Sequence, residues 1–248
     1  MLSATHLRTK KKYPLFGQPL SSGYHNVSTN SMTTTITNII TNELLNPTFE
    51  MTRQYLKILE VKYEDNKPKI AKIDFQENQA RAYVEVKNES FYLEFILDTT
   101  DNVELTGIDT LPFVGISFMP TSEEFTTEEL LKITSVKPSK TITKGDFFSN
   151  GKFEYTYNGI EFETFSEPGR IERKLNYLLD ILETDIEGIK LLSKQTSSKD
   201  IFVTIVYHIG NENFTGLYLE IDIINRLSKL GLELTFDIYA TGGKFTTE

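Results

Sequence analysis

Three groups of residues have the types and spacing to do chemistry. Lys144 and Asp146 flank Gly145, a charged pair across a turn glycine that would present a clamp to a ligand or partner. Glu220, Asp222 and Asp237 are carboxylates near predicted strand and helix ends. If the closing strand pairs with a strand ending at Glu220, two of them approach each other, as acid–base work or cation binding requires. Tyr155 and Tyr157 are two apart in a predicted strand and therefore share a face. Tyrosines beside glutamates suit protein recognition, because a tyrosine offers contact area at low entropy cost.

Each group also has a plainer reading. Asp146 would bond to neighbouring backbone amides in a turn. Asp222 would cap a helix, and Asp237 would alternate with buried Phe236 and Ile238. The tyrosines would pack on a sheet. Lys144, Asp146, Tyr155, Tyr157 and Asp237 are therefore carried forward as candidate ligand or partner contacts, and no residue is assigned a catalytic role. The histidines, His6, His25 and His208, are far apart in sequence, whereas a metal site needs several ligands at matching spacing. Gly145, Gly151 and Gly159 are isolated turn glycines, and Thr241-Gly242-Gly243-Lys244 has no helix after it, so neither makes a phosphate loop. No serine has nucleophile-elbow context. No metal and no cofactor is expected.

Composition narrows the classes further. The chain of 248 residues is 39% hydrophobic and 25% charged, with 17 Phe, 12 Tyr and no Trp, which suits a folded protein with one or two domains. It has no cysteine, so disulfides, thiolate catalysis and zinc ribbons are excluded. That fits a reducing compartment, and a cytoplasmic location is expected. No apolar run approaches the ~20 residues of a membrane helix. Net charge is −9, yet four of the 26 basic residues and none of the 35 acidic ones fall in the first 42 residues, so the remainder carries −13. An acidic body repels nucleic acid and anionic lipid, and neither is expected as a partner.

The elements that must position the candidates read as α+β. Residues 1–31 are rich in Ser, Thr, Gly and Asn and lack apolar periodicity, so they are expected to be a disordered tail or an extension ahead of a natural start at Met32. A helix is predicted from Thr33 to about Gln54, interrupted by Pro47. A β-meander follows over 55–108, with four strands: Leu56 to Tyr63, Ile70 to Phe75, Ala80 to Val86 and Phe91 to Leu97. Its second face carries Lys and Glu and is expected to be open. Within 111–245 a strand at Leu111–Met119 leads to a helix opened by a Thr126/Glu129 capping box. Strands are predicted at Ser139–Lys144 and Phe153–Phe165, with a turn at Asn150-Gly151 between them. Ile171, Leu175, Leu178, Leu179 and Leu182 give the clearest helix. A second capping box, Thr184/Glu187, opens the next. Strands at Asp200–Ile209 and Leu217–Glu220, a helix striped by Ile221, Ile224, Leu227 and Leu230, a stop at Gly231 and a strand at Leu232–Tyr239 complete the chain. The fold class is an N-terminal antiparallel β-meander followed by a helix-decorated antiparallel or mixed sheet, divided as 1–31, 32–110 and 111–245.

The order of motifs in the last segment resembles a known family. Val136-Lys137-Pro138-Ser139, Lys144-Gly145-Asp146, Lys174-Leu175 with Leu178-Leu179, Gly216-Leu217-Tyr218-Leu219 and the closing Leu232-Glu233-Leu234-Thr235-Phe236-Asp237-Ile238-Tyr239 resemble the bacterial domain of unknown function 4279, over roughly 111–242. The meander is similar to the N-terminal part of longer members. The family's usual Trp before Lys-Gly-Asp is absent, its place falling near Ile142. The resemblance implies a small α+β domain, and its association with toxin–immunity neighbourhoods implies, by analogy, an immunity role.

Two functions follow as expectations. The first is a non-enzymatic protein-binding protein, in its sharpest form a bacterial immunity protein whose acidic surface meets a basic toxin domain. The alternative is a small-ligand sensor or enzyme whose site is assembled from Lys144, Asp146 and Asp237. The first requires an exposed acidic and aromatic patch, the second a closed pocket with convergent polar groups.

Overall fold

Pro47 divides the first helical stretch in two. The computed structural model describes residues 25–148, 151–196, 198–210 and 217–245, with side chains from residue 30 onward. Helix α1 (His25–Leu45) buries Ile36, Ile40 and Leu44, spaced four apart on one face. It begins ahead of Met32, so the expected 1–31 boundary is not an element boundary; residues 1–24 lie outside the described residues. Helix α2 (Glu50–Ile58) follows. Phe49 stands at its N-cap and its side chain makes no capping bond. Glu43 of α1 supplies the missing acceptor: its buried carboxylate takes the Thr48 and Phe49 N–H groups at 3.0 Å and the Thr48 and Thr52 hydroxyls at 2.6 Å.

Burial pushes the Glu43 carboxyl up, but the bonds from Thr48, Thr52 and Phe49 outweigh it and hold the group below the usual carboxylate range. Its contribution to stability is therefore present above the unfolded value near 4.5 and is lost as pH falls through the lower folded value. Glu43→Ala is expected to cost about 2–3 kcal/mol in urea unfolding at neutral pH, because several donors lose a charged acceptor. A cost under ~0.5 kcal/mol would mean that water replaces the carboxylate.

Beyond α2, Val61 bridges to Val86, and a small hairpin joins β1 (Tyr63–Glu64) to β2 (Lys67–Pro68). Asp65 and Asn66 both have positive φ, 50° and 59°, as a two-residue primed turn requires. Strands β3 (Ile70–Phe75), β4 (Gln79–Glu85), β5 (Tyr92–Asp98) and β6 (Glu104–Leu111) then form an antiparallel sheet in chain order. Ala80, Ala82, Val84, Leu93, Phe95 and Leu97 face α1 and α2. Two strand expectations are corrected. Leu56 and Ile58 belong to helix α2, whose buried Thr52 and Tyr55 have helical spacing. The meander's outer strand is instead β6, whose Glu104, Gly107 and Asp109 blur its alternation. The second face is not open either: Tyr83 and Glu94 are buried on it, and residues 168–173 lie against it through Lys72 Nζ donating to Pro168 O (3.4 Å) and the Arg173–Asp74 pair (3.6 Å).

Chain order continues across Pro112 into the second unit. Here lie β7 (Phe113–Phe118), β8 (Thr121–Ser122), α3 (Thr127–Ile133), β9 (Lys140–Ile142), β10 (Asn158–Glu163), α4 (Ile171–Leu182), a single 3-10 turn, α5 (Ile186–Gln195), β11 (Asp200–His208), α6 (Ile221–Leu230) and β12 (Glu233–Thr241). The strand order is β12-β11-β7-β10-β8, with β9 also on β10. All pairs are antiparallel except β11–β12, which α6 links as a parallel crossover. The core lies between this sheet and the helices, with Leu175, Leu178, Leu179 and Leu182 at its centre.

The Thr126/Glu129 capping box forms as expected. The second does not: Asp185 caps α5 by accepting the Gly188 N–H at 3.0 Å, while the Thr184 hydroxyl donates to Ile181 O. Asp185 Oδ2 also takes the Ser135 N–H, so one carboxylate holds two helix ends together. Gly231, with φ +70°, ends α6, its N–H on Ser228 O and the Leu232 N–H on Leu227 O. Residues 217–220 form no strand, Glu220 rather than Asp222 stands at the N-cap of α6, and the buried stripe is Ile223, Leu227 and Leu230. Ile221 and Ile224 point outward, Ile221 with 70% of its surface exposed.

Two buried basic side chains are held by specific contacts, and the second of them joins the two units. Lys174 is 1% exposed; its Nζ donates to Val114 O at 2.6 Å and lies over the Phe165 and Phe113 rings. His208, also buried, is boxed by the rings of Tyr55, Phe91 and Phe245. Its Nε2 lies 3.0 Å from Gly243 O and its Nδ1 accepts the Gly210 N–H, so one nitrogen holds the closing segment and the other the turn after β11.

Candidate functional site

Among the described residues, the second sheet is covered by helices on one face only. Alternation assigns its faces. Val114, Ile116 and Phe118 of β7, Ile160 and Phe162 of β10, and Ile201, Val203 and Ile205 of β11 belong to the core. The residues between them, Ser117, Glu161, Glu163, Phe202 and Thr204, belong to the opposite face, as do Thr235, Asp237 and Tyr239 of β12. Register aligns these in rows. Ser117 stands between Glu163 and Phe202, and Phe202 faces Thr235. Gly115, Thr204 and Asp237 form the next row, and Phe113, Val206 and Tyr239 the last.

The loop from β9 to β10 prolongs this face as a hairpin. Gly145 N–H donates to Tyr155 O, Tyr155 N–H to Asp146 O and Phe148 N–H to Phe153 O, with a bridge between Phe147 and Glu154. Lys144 and Gly145 (φ +91°) turn the chain. The side chain that ties this turn is that of Asn158, whose Oδ1 takes the Lys144 N–H at 2.9 Å while its Nδ2 donates to Phe125 O; the expected tie from Asp146 is replaced by this one. Asn158 anchors the hairpin because it lies at the first ladder position of β10. Asn150, in the expected turn, lies outside the described residues.

The hairpin is aromatic. Phe148 stacks on Tyr155 with ring centroids 4.0 Å apart, and Tyr155 meets Tyr157 edge-on at 5.7 Å, although the strand expected over Phe153–Phe165 is only Asn158–Glu163 and both tyrosines lie ahead of it. Phe147 and Phe153 are 61% and 66% exposed. Beside them, burial and the neighbouring Glu163 carboxylate push the Glu161 carboxyl up, and burial, Tyr155 and Glu161 push the Tyr157 hydroxyl up.

Four of the five candidates, Lys144, Asp146, Tyr155 and Tyr157, therefore occupy one hairpin. Asp237 is exposed on the same side of the sheet but on its far edge strand, with β11 and β7 between it and β10, and its row lies at the opposite end of β10 from the hairpin. Lys144, Asp146 and Asp237 do not converge on one ligand. Nor does Asp237 approach Glu220 or Asp222 through strand pairing, since β12 pairs with β11. Its neighbours Phe236 and Ile238 are half-buried and exposed, because β12 is an edge strand. A recess of about 700 Å³ lined by Thr33, Thr37, Lys67 and Lys69 lies in the other unit and holds none of the five. Phe153, Glu161, Glu163 and Phe202 went unnoticed as site residues. The signal was present as the period-2 series Phe153, Tyr155, Tyr157, Gly159, Glu161, Glu163 against Ile160 and Phe162.

These features define an α+β domain with a mixed sheet, helices on one face and an aromatic hairpin on the other. The family model described as a domain of unknown function (DUF4279) matches residues 113–241, from the first residue of β7 to the last of β12, and the chain belongs to this family. No curated protein and no solved structure matches the chain. Among the described residues, no helix is long and apolar enough to cross a membrane.

Proposed function

We propose that the protein is a protein-binding module whose helix-free sheet face and aromatic hairpin form the recognition surface. The observation that carries this reading is the exposure of Phe153 beside the Phe148–Tyr155–Tyr157 cluster, next to which the Glu161 charge acts on Tyr157. Large aromatic side chains held rigid at a surface are the usual energetic anchors of interfaces, and acidic neighbours select a basic partner. The −13 carried by residues 43–248 favours the same partner through long-range attraction. In its sharpest form the reading is a bacterial, cytoplasmic immunity protein bound to a basic toxin domain, with no enzymatic step of its own.

Photo-crosslinking in the native host tests it. A benzophenone amino acid at position 153 is expected to trap one defined protein, and the same group at exposed Phe75, in the other unit, is not. With that protein in hand, association should slow as salt rises while dissociation changes little, because steering acts before contact. Crosslinks equal at both positions, or a salt-insensitive association rate, would overturn the reading.

A further inference from the structure

We infer that the partner adds an extended basic segment as a new strand along the outer edge of β12; this rests on the protein-binding reading and names its mode. Edge strands offer unpaired backbone groups, and proteins guard them with bulges, lysines, prolines or shortness. The other outer strands here are guarded. Strand β3 has a register break between Ile70 and Lys72 and carries Lys72, β6 has a break opposite Ile96 and Leu97, and β9 has three residues, opens on Lys140 and follows Pro138. Strand β12 has none of these devices. It runs nine residues in unbroken register with β11, from Asp200↔Glu233 to His208↔Thr241, and among the described residues no strand lies on its other side.

Its sequence contains no Lys, Arg, Pro or Gly. It leaves Ile238 44% and Tyr239 52% exposed, and its charges are two acids, Glu233 and Asp237. Lys229 and Lys244 lie beyond its two ends. Opposite charges facing each other on neighbouring strands attract and like charges repel. The edge therefore favours an incoming strand that alternates basic and apolar residues over an acidic one. The same strand carries Asp237 and Tyr239 onto the helix-free face, so an added strand would widen that face.

A short synthetic peptide alternating lysine and valine is the probe, with a glutamate–valine peptide as its counterpart, both added to the full chain. The lysine peptide is expected to slow amide exchange along β12, and the glutamate peptide is not. Asp237→Lys, at an exposed position, should weaken the lysine peptide by about fivefold and strengthen the other. Strand addition is refuted if β12 amides gain no protection, if both peptides bind alike, or if the charge reversal changes nothing. Protection confined to the residues around Tyr157 and Phe202 would sink the edge while leaving the recognition face standing. A failed crosslink at 153 with β12 protected would do the reverse.

Discussion

Leu179→Ala should lower the free energy of unfolding by about 2–5 kcal/mol, enough to remove much of the stability of an ordinary domain. Leu179 is fully buried, with Leu175, Leu178 and Leu182, where α4 lies against β7 and α6. Losing three carbons there forfeits transfer free energy and leaves a cavity that the sheet behind it is poorly able to fill. The control is Leu191→Ala on α5, where the side chain is 42% exposed and the expected cost is below about 1 kcal/mol. Urea unfolding of both variants decides the matter. A Leu179→Ala cost no larger than that of Leu191→Ala would mean that the core is not where the buried leucines place it.

The second large effect is a rise of stability in mild alkali. Burial, reinforced by Lys72, pulls the Lys174 ammonium down to about 8 from 10.5. Its folded value lies below its unfolded one, so between about pH 8 and pH 10 the unfolded chain holds more protons, and stability rises with pH. The ceiling is about 3 kcal/mol, and a gain of about 1–3 kcal/mol is expected between about pH 7.5 and about pH 9.5. The window closes near pH 10 because the tyrosines act with the opposite sign. Burial, with Asp109 adding, pushes Tyr55 up to about 12, and burial and Glu94 push Tyr83 up, so the unfolded chain loses those protons first. Lys174→Met keeps the stem between Phe113 and Phe165 and removes the charge. It should fold, since a buried charge is often replaced by an apolar isostere at little cost, and its stability should be flat across the window. An unchanged rise in that variant would assign the effect to another group.

Much of the architecture was legible before any coordinates. The leucines of α4 announced a helix because their spacing repeats at 3.6 residues, and Thr126 with Glu129 announced its predecessor because a capping box is local chemistry. Gly231 stopped α6 because a left-handed residue is cheapest as glycine. Tyr155 and Tyr157 do meet, but through a ring contact in the hairpin ahead of β10 and not through the strand periodicity that suggested it. Acidic charge, absent cysteine and the family resemblance over the C-terminal half were likewise properties of the chain as written.

Tertiary structure decided what no local pattern encodes. Leu56 and Ile58 are helical because Glu43, in the preceding helix, caps α2 from outside it. Asp185 displaced Thr184 as a cap because its carboxylate also reaches the Ser135 N–H, fifty residues away in the chain. Ile221 and Ile224 face outward because α6 has only one covered side, set by where β11 and β12 lie. Lys174 is buried because α4 lies against β7, where its Nζ meets Val114 O between the Phe113 and Phe165 rings, a contact no charge pattern reveals. The candidate site divides the same way. The sequence by itself determined that Lys144, Asp146, Tyr155 and Tyr157 share a hairpin, since neighbours in a turn stay neighbours. Only the strand order decided that Asp237 stands on the opposite strand of the same sheet, because β-sheet pairing is a long-range choice made by the core.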